Sequence, residues 1–481
     1  MKASAFNVRV PVSTGDVFLL NTLTDAQVVV SRDVVAFMDS LASGALAVPA
    51  STPEAHDVIE TLATNGFLVR YMASEGEALE SRFAEFRDDT SQLRITILTT
   101  LQCNFACEYC YQGEHAEFGR PAEKMSLETA AQVAGWIARQ VDEVQPSRLV
   151  LTFFGGEPLL NVPAMTDIAE RCWRHTQSRR VGQHVNIITN GLLLSPEIVG
   201  RMTPFGLSGV KITLDGDRET HDRMRPLRGG QGTFDRIIEN VRRVAPMVDV
   251  TVGGNFDETT ADRYPALLDF LKEQPFAPRI TKIAFKPIIK PRGPNPPKAA
   301  LALSPAGSIR RPLNGSCMTA AGPSTGRSRG AASGTPCDNC HFIDDTMSSL
   351  REETRRRGFP TSDGVHMGPC ELYRRHSHTI GPDGSLYGCP GFTGEYALSV
   401  GNIDGTRNAE QAAAAHRFER LAPWRHCGDC PFIPVCGGGC AVASHAELGD
   451  MDAPSCHKRS FESALVSLAE EAAREPAGEV Q

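Results

Sequence analysis

The chain of 481 residues lacks three features that mark membrane, exported and nucleic-acid-binding proteins. No apolar run approaches the roughly 18 residues that a membrane-spanning helix needs. The N-terminal segment has no apolar stretch of the signal-peptide type. Lysine and arginine total 49 against 57 acidic residues, so the net charge of −8 does not favour nucleic acid. We therefore expect a soluble cytoplasmic protein, long enough for two or three domains, that binds neither membranes nor nucleic acid.

Cysteine is abundant instead, with 14 residues. Without a signal peptide, these thiols are expected to be reduced metal ligands rather than disulfides. Cys103, Cys107 and Cys110 follow the spacing C-x3-C-x2-C. Three thiolates can hold three irons of a 4Fe-4S cluster and leave the fourth iron open to a small molecule. A zinc site or plain structural thiols are the alternatives, although zinc usually takes paired C-x2-C or Cys/His units.

Strand-like segments alternate with helical segments between about residues 94 and 290. The predicted strands are rich in aliphatic and β-branched residues and lie at 94–100, 148–154, 184–189, 210–214, 248–252 and 281–287. Ser126 and Thr233 are predicted to cap two of the intervening helices. This α/β alternation predicts a parallel sheet with right-handed crossovers, which suits a partial (β/α)6, TIM-like barrel.

Polar and glycine-rich motifs follow these strands, and the carboxyl ends of parallel strands meet at one mouth. They are Gly155-Gly156-Glu157-Pro158, Thr189-Asn190-Gly191, and Thr213-Leu214-Asp215-Gly216 with His221, Asp222 and Arg225. Taken alone, the Gly155–Pro158 and Thr189–Gly191 motifs fit an ordinary turn between a strand and a helix about as well as they fit a ligand-binding motif. Together with the cysteine loop, in which Tyr109 precedes the last cysteine, they resemble the radical S-adenosylmethionine (SAM) superfamily over roughly residues 92–290.

That resemblance implies a catalytic 4Fe-4S cluster on the first three cysteines, whose open iron chelates SAM. It implies reductive cleavage of SAM to a 5′-deoxyadenosyl radical and an electron donor such as flavodoxin or ferredoxin. Glu157 is expected to accept from the SAM ammonium, and Arg225 to pair with the SAM carboxylate. The complete set of implied cofactor-binding residues is Tyr109, Gly155, Gly156, Glu157, Pro158, Asn190, Thr213, Asp215 and Arg225.

The last third of the chain holds a second array of cysteines: Cys370, Cys389, Cys427, Cys430, Cys436, Cys440 and Cys456. Their spacing resembles the SPASM extension of radical SAM enzymes, which implies two auxiliary 4Fe-4S clusters. A pair of zinc knuckles is the alternative. The resemblance assigns the distal cluster to Cys427, Cys430, Cys436 and Cys456, and the nearer one to Cys370, Cys389 and Cys440.

The nearer cluster lacks an evident fourth ligand. His376 is the favoured substitute, Cys337 or Cys340 could reach in, or the iron could stay open for substrate. The role of Cys317 is not assigned. Cys172 lies in a helical segment and is expected to be a small core residue.

We expect five regions. Residues 1–90 form a small α+β domain that loosely resembles a winged-helix peptide-recognition domain or is a structural cap. Residues 91–290 form the radical SAM core, and 291–365 a Pro/Gly/Ser-rich insertion and linker. Residues 366–460 form the cysteine-rich SPASM domain, and 461–481 a C-terminal helix and tail.

The resemblance implies an oxidoreductase that modifies a precursor peptide or protein side chain, such as a maturase that forms a thioether or carbon–carbon cross-link in a ribosomally made peptide. The second hypothesis is anaerobic sulfatase maturation to formylglycine. Enzymes of that kind carry an aspartate base after the second SPASM cysteine, but here Pro390 follows Cys389. A hypothesis of another class is a non-catalytic iron–sulfur electron-transfer protein, which reductive SAM cleavage would distinguish.

Overall fold

The computed structural model describes residues 1–43, 53–70, 72–110, 124–289, 302–303, 309–310, 338–362, 365 and 368–474. The predicted insertion lies mostly outside these ranges, as do Cys317, Cys337 and the side chain of Cys340. In the described part of the chain, no helix is long and apolar enough to cross a membrane.

The N-terminal region is a small α+β unit. Its elements are β1 (Lys2–Ala3), β2 (Asn7–Pro11), β3 (Val17–Asn21), β4 (Ala26–Val30), α1 (Arg32–Ser43), α2 (Pro53–Thr64), β5 (Leu68–Val69) and α3 (Met72–Asp88). Strands β2, β3 and β4 form an antiparallel sheet, and β1 pairs with β5. Leu19 of the central strand packs with Met38, Leu62 and Phe67, which places α1 and α2 against one face of the sheet.

The middle of the chain forms the predicted barrel of parallel strands and helices. Its elements are β6 (Gln92–Leu98), α4 (Leu127–Val144), β7 (Arg148–Phe154), α5 (Val162–Arg179), β8 (Gly182–Thr189), α6 (Pro196–Met202), β9 (Leu207–Thr213), α7 (Arg218–Met224), α8 (Phe234–Val244), β10 (Asp249–Phe256), α9 (Tyr264–Lys272) and β11 (Ile280–Pro287). All six strands pair in parallel in chain order. The predicted parallel sheet of six strands is therefore confirmed.

Alternation along these strands separates two faces. In β7, Leu149, Leu151 and Phe153 are fully buried under the helices, whereas Thr152 and Phe154 face the barrel interior, where they line a cavity. The aliphatic residues of α4, α5 and α8 complete this largest core. The interior therefore remains available for polar side chains and ligands.

One of the two predicted helix caps is confirmed. The Ser126 hydroxyl accepts a hydrogen bond from Thr129 N at 3.0 Å at the start of α4. Thr233 precedes α8 but its side chain makes no capping bond. Asp222 instead accepts from the backbone N–H groups of Thr233 and Phe234, at 2.7 and 2.8 Å, because α7 brings its carboxylate to that helix end.

The C-terminal region continues the barrel sheet. Between it and the barrel lie β12 (Ala302–Leu303), β13 (Ile309–Arg310) and α10 (Asp338–Arg356), and it then contains β14 (Ser377–Ile380), β15 (Ser385–Tyr387), β16 (Gly401–Asn402), α11 (Ala409–Glu419), α12 (Ile433–Cys436), α13 (Ala441–Leu448) and α14 (Lys458–Arg474). Strand β14 pairs in parallel with β6, which gives a nine-stranded sheet of order β11-β10-β9-β8-β7-β6-β14-β15-β16.

The two ends of the chain meet. Phe83 of α3 stacks on Trp424 with ring centroids 4.1 Å apart. On the N-terminal sheet, Phe18 and Leu20 share a core with Leu465 of α14. At the rim, Ser13 donates to Glu470. The N-terminal unit is thus packed against the cysteine-rich region.

Candidate functional site

The loop of Cys103, Cys107 and Cys110 leaves the carboxyl end of β6 and is fixed from the segment after α7. Ala106 N donates to Pro226 O at 2.9 Å, and Arg228 Nε donates to Cys103 O at 2.8 Å. Burial raises the pKa of Cys103, and it raises that of Cys107 to about 12. Such thiols release their protons when a metal binds, because the thiolate is the ligand.

Gly155 and Gly156 follow β7 and pass directly beneath this loop. Gly155 has φ +126°, and a Cβ there would lie 2.5 Å from Thr100 O. A Cβ on Gly156 would lie 2.1 Å from Gln102 O. Two backbone bonds tie the strands together here, from Gly156 N to Thr100 O at 3.1 Å and from Glu157 N to Gln102 O at 2.8 Å. Both positions therefore require glycine.

Glu157 is fully buried and joins the ends of β7 and β8. Its carboxylate accepts from Leu159 N at 3.0 Å, from the Thr189 hydroxyl at 2.7 Å and from Asn190 N at 2.8 Å. Burial raises its pKa, and these three hydrogen bonds oppose the increase. Pro158 begins the short 3-10 helix Pro158–Asn161 behind it. The geometry gives Glu157 a structural role, and contact with an ammonium stays a prediction.

Tyr109, Asp215 and Arg225 form a buried polar network at the mouth of β9. The Tyr109 hydroxyl donates to Asp215, and Arg225 donates to the Tyr109 oxygen at 2.5 Å. Asp215 also accepts from Asn255 N at 2.7 Å, and its Oδ2 lies 3.6 Å from Arg225. Arg225 Nε is buried without a hydrogen-bond partner among the described residues. A buried, unpaired guanidinium nitrogen fits a ligand that brings a carboxylate.

His221 fixes this network from behind. Burial lowers its pKa well below the usual value, so the ring is neutral. Nδ1 accepts from Asp215 N at 3.2 Å, which assigns the proton to Nε2 facing Thr233 at 3.1 Å. The Thr233 hydroxyl in turn donates to Arg225 O at 2.9 Å. These contacts fix the backbone carbonyl of Arg225 and the backbone N–H of Asp215.

One cavity of about 490 Å³ collects these parts. Of the residues expected to bind cofactors, those that line it are Tyr109, Gly155, Gly156, Asn190, Thr213 and Arg225. Glu157, Pro158 and Asp215 are buried behind it. The lining cysteines are Cys103, Cys107, Cys110, Cys389 and Cys440. The cavity therefore brings the first cysteine group and part of the second array to one space.

The donor set fits a 4Fe-4S cluster with SAM. The cavity is lined by three thiols from one loop, by two glycines and by Arg225, whose buried Nε has no hydrogen-bond partner among the described residues. In the described ranges, no three Cys, His, Asp or Glu side chains are grouped to hold a single metal ion. In a cluster each thiolate binds a different iron, so its ligands do not converge on one point.

The remaining cysteines fall into two groups in space. The charge of Cys440 adds to burial in raising the pKa of Cys370 and of Cys389. In the other group, burial and the charges of Cys430 and Cys456 together raise the pKa of Cys427 to about 11. Burial also raises the pKa of Cys436, and the charges of Cys427, Cys456 and Cys430 act on it in the same direction. These groupings agree with the division into a nearer and a distal ligand set.

Tyr373 lies between the two groups. Burial raises its pKa, and the thiols of Cys370, Cys436, Cys440 and Cys427 add to the increase. Its hydroxyl donates to Gly437 O at 3.0 Å, and its ring packs edge-on against Trp424. The hydrogen bond and the ring contact fix Tyr373 at a position where thiols of both groups act on it.

His376 stays a predicted ligand of the nearer group, and the strand register places it near Cys389. The His376 carbonyl accepts from Arg94 N at 3.0 Å, next to the start of β6. Strand β15 runs antiparallel to β14 and pairs Tyr387 with Thr379, so Cys389, two residues further on, lies near Ser377 at the same end of the sheet. Because β14 runs parallel to β6, His376 stands at the amino end of the barrel. Cys172 is 1% exposed in the core of α5, as predicted.

Residues 97–270 match the family model described as the radical SAM superfamily. The chain contains a radical SAM domain. This match, together with the parallel barrel, confirms the resemblance and the fold, and it supports an enzyme. A domain of this family implies one 4Fe-4S cluster and SAM.

Two curated relatives illustrate the range of proteins that share the domain. Fe-coproporphyrin III synthase of Methanosarcina barkeri is 28% identical over 215 residues, covering 44% of this chain and 47% of the relative. The sporulation killing factor maturation protein SkfB of Bacillus subtilis is 26% identical over 177 residues, covering 36% and 38%. The chain thus spans less than half the length of each of these two relatives.

The solved structure of anSMEcpe with bound AdoMet extends the likeness beyond the radical SAM domain. It has a TM-score of 0.57 and 16% identity, and the match covers 80% of this chain and 96% of that chain. At this identity the likeness concerns the fold. Matching over this length requires that elements outside residues 97–270 share the arrangement as well.

Several side chains of the radical SAM cavity were not predicted from sequence: Lys211, Asn255, Lys286 and Arg228. Lys211 left one signal, since it is the charged residue of strand β9, whose other residues are all uncharged. Arg228 and Asn255 left none, because their roles depend on loops and strands that meet only in the fold.

Proposed function

We propose that this chain is a radical SAM enzyme that modifies a side chain of a peptide or protein. It would use a catalytic cluster on Cys103, Cys107 and Cys110 and two auxiliary clusters on the second cysteine array. The observation that carries this proposal is the shared cavity, which is lined by the first cysteine group on one side and by Cys389 and Cys440 on the other. A substrate bound there would lie between SAM and the nearer auxiliary group.

The relatives support a peptide substrate. SkfB is named a maturation protein, and TigE of Paramaledivibacter caminithermalis is named a radical SAM cyclopropyl synthase. The anSMEcpe protein has also been solved with AdoMet and the Cp18Cys peptide. We propose a precursor peptide as the substrate and a small electron-transfer protein, flavodoxin or ferredoxin, as the donor.

The protein's own part in the chemistry is positioning and exclusion of water. When bound, the cluster and SAM supply a 5′-deoxyadenosyl radical that removes hydrogen from a C–H bond of the substrate. The glycine pair lets the end of β7 pack directly against the backbone of Thr100 and Gln102, just before the cysteine loop. Arg225 offers its unpaired Nε to a carboxylate and is held by Tyr109 and Asp215. These groups are fixed before any ligand arrives, so little reorganisation is needed.

Formylglycine formation remains the second candidate. Cys389 is followed by Pro390, which starts the short 3-10 helix Pro390–Phe392 and lines the cavity. Proline cannot serve as the base that the resemblance to such enzymes requires at this position. Peptide cross-linking is therefore the preferred reaction class.

Residues 1–90 are proposed to recognise the leader of the precursor peptide. The antiparallel sheet β2-β3-β4 followed by α1 and α2 supports the loose resemblance to a winged-helix domain. The stacking of Phe83 on Trp424 and the contact of Ser13 with Glu470 support a structural contribution as well.

The decisive experiment replaces Cys103, Cys107 and Cys110 together with alanine. Anaerobically reconstituted wild-type protein should hold about 12 iron atoms per chain and form 5′-deoxyadenosine with dithionite. The triple variant should lose that reaction and retain about 8 iron atoms, because the other ligands lie elsewhere. The paired changes Cys427→Ala and Cys430→Ala should instead remove iron from an auxiliary site.

Three results would contradict the proposal: SAM cleavage by the triple variant, loss of all its iron, or stoichiometric zinc in the wild type. Co-expression with a short peptide encoded beside the gene, followed by mass spectrometry, then measures the mass change. An unchanged peptide mass alongside SAM cleavage would count against that peptide as the substrate.

A further inference from the structure

The radical SAM cavity carries positive charge that its proposed cofactors do not account for. Four cationic residues line it, Lys211, Arg225, Arg228 and Lys286, and no acidic side chain does so among the described residues. Arg225 is paired with Asp215, and Arg228 donates to Cys103 O. Both of these arginines therefore belong to the cysteine-loop end of the cavity.

Lys211 is the unexplained group. It projects from the middle of β9 into the barrel and makes no hydrogen bond or ion pair with any described residue. Its aliphatic stem crosses Gly253 of β10, where a Cβ would lie 2.8 Å from Lys211 Cε and 3.5 Å from Nζ. Glycine at 253 thus leaves the space that this lysine occupies.

The register of β9, β10 and β11 places Lys211 on the same face of the sheet as two other lysines. Thr251 pairs with Lys211 on one side and with Lys282 on the other, so the three share the interior face. Four residues further along β10, on the same face, Asn255 pairs with Lys286. Burial, together with the charges of Lys286 and Lys282, lowers the pKa of Lys211 to about 8. An unpaired, partly desolvated ammonium is costly unless a ligand supplies the opposite charge.

We propose that Lys211 and Lys286 bind a carboxylate of the substrate inside the barrel. The inference rests on the proposed peptide-modifying function and names a substrate class: a peptide with an acidic side chain, or its C-terminal carboxylate, placed between SAM and the Cys389 group. Threonine hydroxyls at Thr96, Thr152 and Thr213 line the same cavity and can donate to the second carboxylate oxygen.

The competing explanation is that the lysines neutralise the auxiliary cluster. It suits Lys286, whose charge acts on Cys370 and Cys389. It does not suit Lys211, whose charged neighbours are the two other lysines. Lys211 is therefore the position at which the two explanations can be separated.

The test uses reconstituted holoenzyme with SAM under anaerobic conditions and three pools of N-acetylated random hexapeptides. The first pool carries one Asp or Glu and an amidated C-terminus. The second carries Asn or Gln instead and is also amidated. The third carries Asn or Gln with a free C-terminal carboxylate. Peptides retained on the enzyme are quantified by mass spectrometry, and 5′-deoxyadenosine is measured in the same samples.

Wild-type enzyme should retain the first or third pool about tenfold over the second, a difference that corresponds to one good charge-assisted contact. Retention of the first pool assigns an acidic side chain, and retention of the third assigns the C-terminal carboxylate. Lys211→Met and Lys286→Met should abolish the preference, and Lys211→Arg should keep part of it. The control Lys272→Met changes an exposed lysine of α9 outside the barrel and should bind as wild type.

Equal retention of the three pools by the wild type would overturn the proposal. So would an unchanged preference in Lys211→Met with normal iron content, or a shifted auxiliary-cluster potential as the sole effect of that change. Absence of 5′-deoxyadenosine in every sample would instead refute the proposed radical SAM activity, and the retention data would still decide whether carboxylates bind.

Discussion

Lys211 illustrates how a single residue can reduce stability for the sake of a site. Its ammonium is surrounded by barrel side chains and faces Lys282 and Lys286, and no described acidic residue pairs with it. A hydrophobic residue at this position would fit the apolar pattern of β9 better. Proteins accept such penalties where binding needs an unpaired charge.

Replacing Lys211 with methionine should therefore stabilise the folded enzyme at neutral pH. The pKa of about 8 lies below the usual 10.5, so the folded chain loses this proton more readily than the unfolded chain. The penalty is complete below pH 8 and disappears as the pH approaches 10.5. At pH 7 it amounts to at most about 3 kcal/mol.

The measurement is the apparent melting temperature of anaerobic holoenzyme from pH 7 to 10. The melting temperature of Lys211→Met should exceed that of the wild type at pH 7, and the difference should shrink above pH 8. Lys272→Met provides the baseline. A variant less stable than wild type at pH 7 would show that Lys211 has a stabilising partner.

At the level of elements, the ends of β6, β7 and β8 are joined into one platform. Backbone bonds link the cysteine loop to Gly156 and Glu157, and the Glu157 carboxylate continues to Thr189 and Asn190. Each link joins neighbouring strands, so a shift in one strand end would move the others. The site is therefore as precise as the sheet that carries it.

Gly156→Ala should disrupt this platform, because its Cβ would lie 2.1 Å from Gln102 O. Displacing the cysteine loop by this route should lower the rate of 5′-deoxyadenosine formation about 100-fold, since a shift of the order of 1 Å has such effects. Gly200→Ala in α6 is the matched control, because nothing lies within 4 Å of the added Cβ. Equal rates for both variants would mean that the loop adapts to the added methyl group.

The positions of the barrel strands could be predicted from the sequence. Buried parallel strands are continuous apolar runs, so β7 was predicted at its observed bounds and the other five strands within a few residues. The prediction that the Thr233 side chain caps α8 was wrong, because the Asp222 carboxylate of α7 accepts the hydrogen bonds at that helix end instead. The pairing of β14 with β6 was not predicted either, because residues 377 and 94 meet only through tertiary packing.

At the scale of the whole molecule, the N-terminal unit packs against the cysteine-rich region through α3 and against α14 through its antiparallel sheet. Phe83 of α3 shares a core with Trp424, Tyr373 and the partly buried Cys370 and Cys427. Helix α14 covers the N-terminal sheet from the other side. The cysteines of the second array are thus supported by Phe83, which lies 287 positions before Cys370 in the sequence.

Phe83→Ala should weaken the packing of the N-terminal unit against the cysteine-rich region. Phe83 is 2% exposed and stacked on Trp424, so truncation should cost about 3–5 kcal/mol. We expect a lower apparent melting temperature and slower recovery of iron in the auxiliary sites during reconstitution. Val58→Ala, at an exposed position of α2, is the control. Full iron content and an unchanged melting temperature in Phe83→Ala would show that the N-terminal unit is dispensable for the auxiliary sites.

The parallel pairing of β14 with β6 has a consequence for synthesis of the chain. During translation, β6 emerges early, yet its partner arrives only with Ser377–Ile380. At about 5–20 residues per second, one edge of the barrel sheet waits tens of seconds with free N–H and C=O groups. Such an edge can pair with another chain. The nascent enzyme therefore passes through an interval in which self-association competes with completion of the sheet, and chaperone binding during that interval would favour completion.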